Sequence, residues 1–236
     1  MRFELFSARA DACARACAIA LGFAIPISVA LDNILLGLLL VSFVVAGGYR
    51  KKWAALKTNR VALGALALIS ALTFGLAYGD RYTGDGFRYW AKYIDLAFIP
   101  LFIATFRARS TREHALKALG GALFASLVVS FFSPTGLIYG NPLVPPNSPA
   151  YPVGFKYSIT QSLLIAFGSF LCIVYAREIA SRAWRLTLYV VSALAVFNVL
   201  AIVISRTGYL VLAGLLAYFF IAQFRWRGVV IAAMGG

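Results

Sequence analysis

The sequence predicts an all-α, polytopic membrane protein, and three observations carry that reading. Hydrophobic residues make up 62% of the 236 positions and charged residues only 13%, about half the charge of a soluble chain of this size. The apolar residues fall in long runs, and a run of about 20 crosses a hydrocarbon core roughly 30 Å thick. The basic residues cluster between those runs at alternate loops, the pattern that orients helices during insertion. With no water in the bilayer to satisfy the backbone, the spans must be helices.

The first span is Ala14–Leu31. Arg2, Arg9 and Arg15 precede or open it, and Ser28-Val29-Ala30 is small enough for a leader cleavage site. Glu4 and Asp11 interrupt the basic segment and a second apolar run opens at Ile34, so the span is read as retained. Cys13 and Cys17, one helical turn apart, offer either a metal or lipid attachment point or a pair of small packing groups, and packing is favoured. An odd count of three cysteines in or beside apolar runs argues against a disulfide framework.

Seven further spans follow: Ile34–Tyr49, Val61–Tyr78, Tyr93–Phe106, Leu116–Phe132, Ser158–Ala176, Leu186–Ile204 and Gly208–Phe224. A ninth apolar segment starts at Gly228 and reaches Gly236, about 14 Å of helix or half a bilayer. The expectation is one transmembrane domain over residues 1–236, eight spans plus the start of a ninth, with the chain continuing beyond Gly236. Between the fifth and sixth spans, Ser133–Tyr157 holds six of the eight prolines. Proline fixes φ and lacks a donor, so this loop is expected to be stiff and non-helical. Its Tyr139, Tyr151, Phe155 and Tyr157 suit either a rigid interfacial connector or a lipid- or sugar-contacting surface.

Placing the N-terminus in the cytoplasm puts seventeen Lys and Arg residues inside and five outside. Topology alone accounts for the inner ones. The outer five, Arg81, Arg88, Lys92, Lys156 and Arg206, oppose the insertion bias, so an outer anion site must be built from them. The net charge of +14 therefore reflects membrane orientation, and no nucleic-acid partner is expected.

Two constellations stand out. Leu186–Phe224 contains one charged residue, Arg206, and is too long for one span, so it must turn at Ser205-Arg206-Thr207-Gly208. Ser205 or Thr207 can cap the next helix. That sets an arginine beside a helix N-terminus, where open N–H groups already favour an anion and a guanidinium fork matches phosphate oxygens. The alternative is an arginine snorkelling to the headgroups. The second lies at Gly79–Asp95: helical offsets from Asp85 align Arg88, Lys92 and Asp95 on one face. Asp95, just inside the apolar zone, needs a partner, and Lys92 is the expected one. The stripe either faces a polyanion or neutralises itself on an interfacial helix.

Other chemistry is sparse. His114, the lone histidine, sits among Arg112, Glu113 and Lys117, where it is expected to be solvated. No outer histidine or cysteine cluster has metal-ligand spacing, and no metal or cofactor is expected. Asp32, Asp80 and Asp85 are too scattered to imply a paired acid–base site, and no Gly-rich phosphate loop is present.

At Ser205-Arg206-Thr207-Gly208, continued by Tyr209-Leu210, the sequence resembles the O-antigen ligase family and its O-antigen polymerase relatives. The wider likeness is architectural: many helices, basic inner loops, and this arginine at an outer helix start. The resemblance implies the integral-membrane glycosyltransferase (GT-C-like) fold in the bacterial inner membrane. It implies a metal-independent, inverting transfer on the periplasmic face, from a polyprenyl-diphosphate-linked glycan donor to a lipid A–core acceptor. Arg206 would then grip the donor diphosphate and stabilise the leaving group. The family's histidine and second arginine lie in a periplasmic loop expected beyond Gly236. A polymerase, or a transporter for an anionic glycolipid, would use the same outer cations.

Overall fold

The computed structural model describes residues 2–78, 85–132, 155–203 and 205–224. Among the described residues the chain is helical throughout, without strands. The helices are α1 (Arg2–Ile27), α2 (Val29–Val45), α3 (Tyr49–Lys57), α4 (Arg60–Tyr78), α5 (Asp85–Lys92), α6 (Phe98–Thr105), α7 (Arg109–Phe132), α8 (Ser158–Glu178), α9 (Arg182–Phe197) and α10 (Arg206–Phe224). A 3-10 turn, Ile94–Ala97, leads into α6, and a π-helical segment, Asn198–Ile202, ends α9.

Five helical stretches are long and apolar enough to cross a bilayer: Phe6–Ile27, Arg109–Phe132, Ser158–Glu178, Arg182–Ile202 and Arg206–Gln223. Val29–Val45, Arg60–Leu76 and Ile94–Thr105 are shorter apolar helices. Large apolar side chains such as Val41, Phe74, Leu200, Leu210 and Ile221 face outward. Water would not tolerate so extensive an apolar exterior, whereas lipid solvates it. The chain is accordingly a multi-pass α-helical membrane protein.

The expected fourth span, Tyr93–Phe106, departs most from its prediction. It is a four-residue 3-10 turn followed by the eight-residue α6, about 18 Å at helical rise and well short of a bilayer. Pro100 falls at the third position of α6, where a missing N–H costs nothing because the first turn has no intrahelical acceptor.

The chain divides into two compact units, residues 1–22 with 30–118, and residues 23–29 with 119–236. In the first, α1 and α2 are separated by Ser28 alone and run back along one another. Ser7 Oγ donates to the Ala46 carbonyl at the open end of this hairpin, while Ala14, Cys17, Ala18 and Leu21 meet Leu35, Leu36 and Leu39 further along. Small residues at helical spacing on α1 let the backbones approach, the usual basis of helix association in lipid. Cys17 is thus a packing group, as its sequence context suggested. Leu101 of α6 closes the cluster with Phe98, Phe102 and Phe106 around it. Gly22 crosses α7 so closely that a Cβ there would lie 2.5 Å from the Ala115 carbonyl oxygen.

In the second unit α8 is central. Gln161, Ser162, Ile165, Ala166, Ser169 and Ala176 are its buried positions, a helical stripe of small and polar groups. Leu127 of α7, Ala195 of α9, Val199 and Leu212 of α10 pack on Ile165 and Ala166. Polar atoms in this core find partners, as lipid requires: Ser192 Oγ donates to the Ser169 carbonyl at 3.1 Å and Asn198 Nδ2 donates to Ser130 Oγ at 3.0 Å.

Candidate functional site

The turn predicted at residues 205–208 is where α9 gives way to α10, and two of its residues, Ser205 and Gly208, have structural tasks. Ser205 is the N-cap, its Oγ accepting from the Gly208 N–H at 3.4 Å. The Tyr209 N–H bonds the Ser205 carbonyl at 3.1 Å, starting the helical ladder. Gly208 sits against α8: a Cβ there would meet Ser162 Cβ at 2.6 Å and Val199 Cγ1 at 3.4 Å. Only glycine allows that approach.

The π segment supplies the remaining brace. The Val203 N–H bonds the Asn198 carbonyl at 2.8 Å, an i to i+5 closure that widens the last turn. The Tyr209 hydroxyl donates to the Leu200 carbonyl at 3.2 Å. Ser205, Gly208 and Tyr209 are thereby committed to holding the corner. Arg206 and Thr207 are exposed, and Arg206 is the first residue of α10, where N–H groups lack intrahelical acceptors.

Contact between Gly208 and Ser162, in the second turn of α8, shows that α8 and α10 begin at the same end of this unit. Phe170 and Tyr218, 6.1 Å apart further along, continue the parallel pairing. Lys156, two residues before α8, therefore lies at the same end as Arg206, and it is only 6% exposed. Two helix N-termini and two cations share that end. From residue 119 onward the sequence has a single carboxylate side chain, Glu178, and it closes the opposite end of the 21-residue α8, roughly 30 Å away. A site of this composition attracts anions.

Arg88 and Lys92 belong to the first unit, exposed on α5. Trp90 Nε1 donates to Thr73 Oγ1 at 3.0 Å and ties α5 to α4. The expected Lys92–Asp95 pair does not form: among the described residues no ion pair joins them, and Lys92 Nζ instead lies 4.9 Å from the Tyr89 ring centroid. Helical register explains the correction. α5 ends at Lys92, Tyr93 takes φ −103° and ψ 2°, and a 3-10 turn follows, so α-helical offsets counted from Asp85 do not carry through to Asp95. Arg81 lies outside the described residues. His114 Nδ1 sits 2.7 Å from the Ser110 carbonyl, a contact within its own helix. Among the described residues no group of His, Cys, Asp or Glu side chains is arranged to hold a metal.

Reading the sequence missed the Ser130–Asn198 pair and the π turn it anchors. Asn198 was the available signal, an amide in an apolar run, which in a membrane core demands a partner. Turn chemistry identified the corner, but the parallel start of α8 and α10 needed the fold. No family model, no curated protein and no solved structure matches this chain.

Proposed function

We propose that this chain is a membrane-embedded glycosyltransferase of the O-antigen ligase type. In this reading a polyprenyl-diphosphate-linked glycan binds with its diphosphate at the α8–α10 end, and the glycan passes to a lipid A–core acceptor on the periplasmic face. One observation carries the reading: Arg206 is presented, exposed, at the start of α10, at the same end of the unit as Lys156 and opposite the one carboxylate side chain found from residue 119 onward. In an inverting transfer an acceptor hydroxyl attacks the anomeric carbon as the bond to the diphosphate oxygen breaks. Negative charge grows on that oxygen, and a guanidinium fork held in place stabilises it without reorganisation. Arg206 serves as leaving-group stabiliser and Lys156 as a second counter-charge. Arg88, Lys92 and Arg81, the other outer cations of the sequence, are assigned to the glycan or headgroup region. An O-antigen polymerase would use the same donor grip.

The test is glycan transfer in membranes from cells whose only copy is the variant. Arg206→Ala should abolish transfer with normal membrane abundance, because an exposed residue carries little folding load. Arg206→Lys should recover only weakly, because lysine supplies charge without the fork. Near-normal transfer by the lysine variant would mean a point charge suffices. An active alanine variant would remove Arg206 from the reaction and leave a transporter, or plain snorkelling, as its explanation.

A further inference from the structure

The first unit holds a cavity of about 370 Å³ that the proposed reaction does not use. Its walls are α1, the end of α2, the start of α3 and the turn after α6, with Asp11, Arg15, Lys52, Thr105 and Arg107 among the lining side chains. Three cations face one carboxylate. Asp11 lies 3.6 Å from Lys52 Nζ, which leaves Arg15 and Arg107 as the excess charge.

The cavity is built rather than incidental. Lys52 Nζ donates to the Phe43 carbonyl at 2.9 Å and sits 3.9 Å from the Phe43 ring centroid, so a flexible side chain is fixed and left 17% exposed. Arg112 Nη1 donates to the carbonyls of Phe106 and Arg107 at 3.1 and 3.2 Å, which fixes the opposite wall. Gly47 and Gly48 both take φ 67°, a left-handed backbone that glycine adopts without strain, and no side chain closes the wall they form. Arg15 and Arg107 are exposed, with no ion-pair partner among the described residues.

We infer that this cavity binds a phosphate group. Two guanidinium forks around a fixed ammonium match phosphate oxygens and give the site a net positive charge. The cavity lies where α2 and α6 end, at the height where a membrane helix meets the headgroups, and on the side of the basic loops. There an anionic lipid headgroup and a free phosphate both come within reach.

The experiment is thermal unfolding of the purified full chain in a neutral detergent, followed by tryptophan fluorescence. Dioctanoyl phosphatidylglycerol and inorganic phosphate are added separately, to wild type and to Arg15→Gln/Arg107→Gln. A saturating ligand should raise Tm by about 5 °C. The double variant should lose more than half of that rise, and 1 M salt should erase most of it in wild type. A rise with the lipid alone assigns the site to a headgroup; a rise with inorganic phosphate assigns it to a free phosphate. No rise with either probe, or a rise insensitive to salt and to the double variant, overturns the inference. None of these readouts depends on Arg206 or on glycan transfer.

Discussion

Replacing Gly208 by alanine tests whether the α8–α10 contact sets the candidate site. The added Cβ would lie 2.6 Å from Ser162 Cβ and 2.7 Å from Ser162 Oγ. Two carbons settle at about 3.5–4.0 Å, so the helices must part by about 1 Å. Rotating the serine relieves only the hydroxyl contact, since its Cβ is fixed to the backbone and its Oγ is bonded to the Ile159 carbonyl at 2.9 Å. Overpacking of this kind costs about 1–3 kcal/mol, which for a chain of this size lowers Tm by about 2–12 °C. Ser162→Gly removes both offending atoms. The pair Gly208→Ala/Ser162→Gly should therefore be more stable than the sum of the single changes allows, by at least about 1 kcal/mol. Thermal unfolding in detergent reads all four proteins. A Gly208→Ala variant as stable as wild type, or a serine change that fails to rescue it, would refute the close approach. Glycan transfer should fall in Gly208→Ala more than abundance does, because a shift of about 1 Å at a positioned group costs about 100-fold in rate.

Three further outcomes follow from the same geometry. Asn198→Ala should cost about 1 kcal/mol by leaving Ser130 without its amide donor, and Ser130→Ala in the same chain should add less than it does alone; additive losses in unfolding would contradict the pairing. Thr207→Glu should raise Tm slightly, since a carboxylate in the first turn suits the helix dipole, while transfer collapses because the new charge occupies Arg206; transfer at wild-type level would count against an anion site there. Reporter fusions after Asp85 and Thr207 should read periplasmic and those after Lys57 and Arg182 cytoplasmic, and reversed labels would place Arg206 on the wrong side for the proposed donor.

The long apolar runs made the helices legible, because a bilayer leaves the backbone no alternative. Leu186–Phe224 shows how far that logic reaches: one charged residue in an overlong run fixed the turn at Ser205–Gly208, and α10 begins at Arg206. The same logic failed where a span is not one helix. Offsets through Tyr93 assumed unbroken α geometry, and the 3-10 turn at Ile94–Ala97 separated Lys92 from Asp95. Counting outer cations gave five candidates without saying which share a surface. Gly208 contains that answer, because its missing side chain is meaningful only against Ser162, 46 positions earlier in the chain.

Stability and chemistry separate within five consecutive residues at this corner. Ser205, Gly208 and Tyr209 spend their groups on the cap, the α8 contact and the Leu200 carbonyl. Arg206, exposed between them, makes none of those contacts. A snorkelling arginine needs only a helix end near the headgroups; it does not need a π turn, a buried amide pair and a glycine contact to fix its backbone. A group that must stabilise charge on a departing oxygen does need its backbone fixed, because preorganisation is the source of its effect. The rigidity of its neighbours, more than the charge of Arg206 itself, is therefore what favours a binding role over a headgroup anchor.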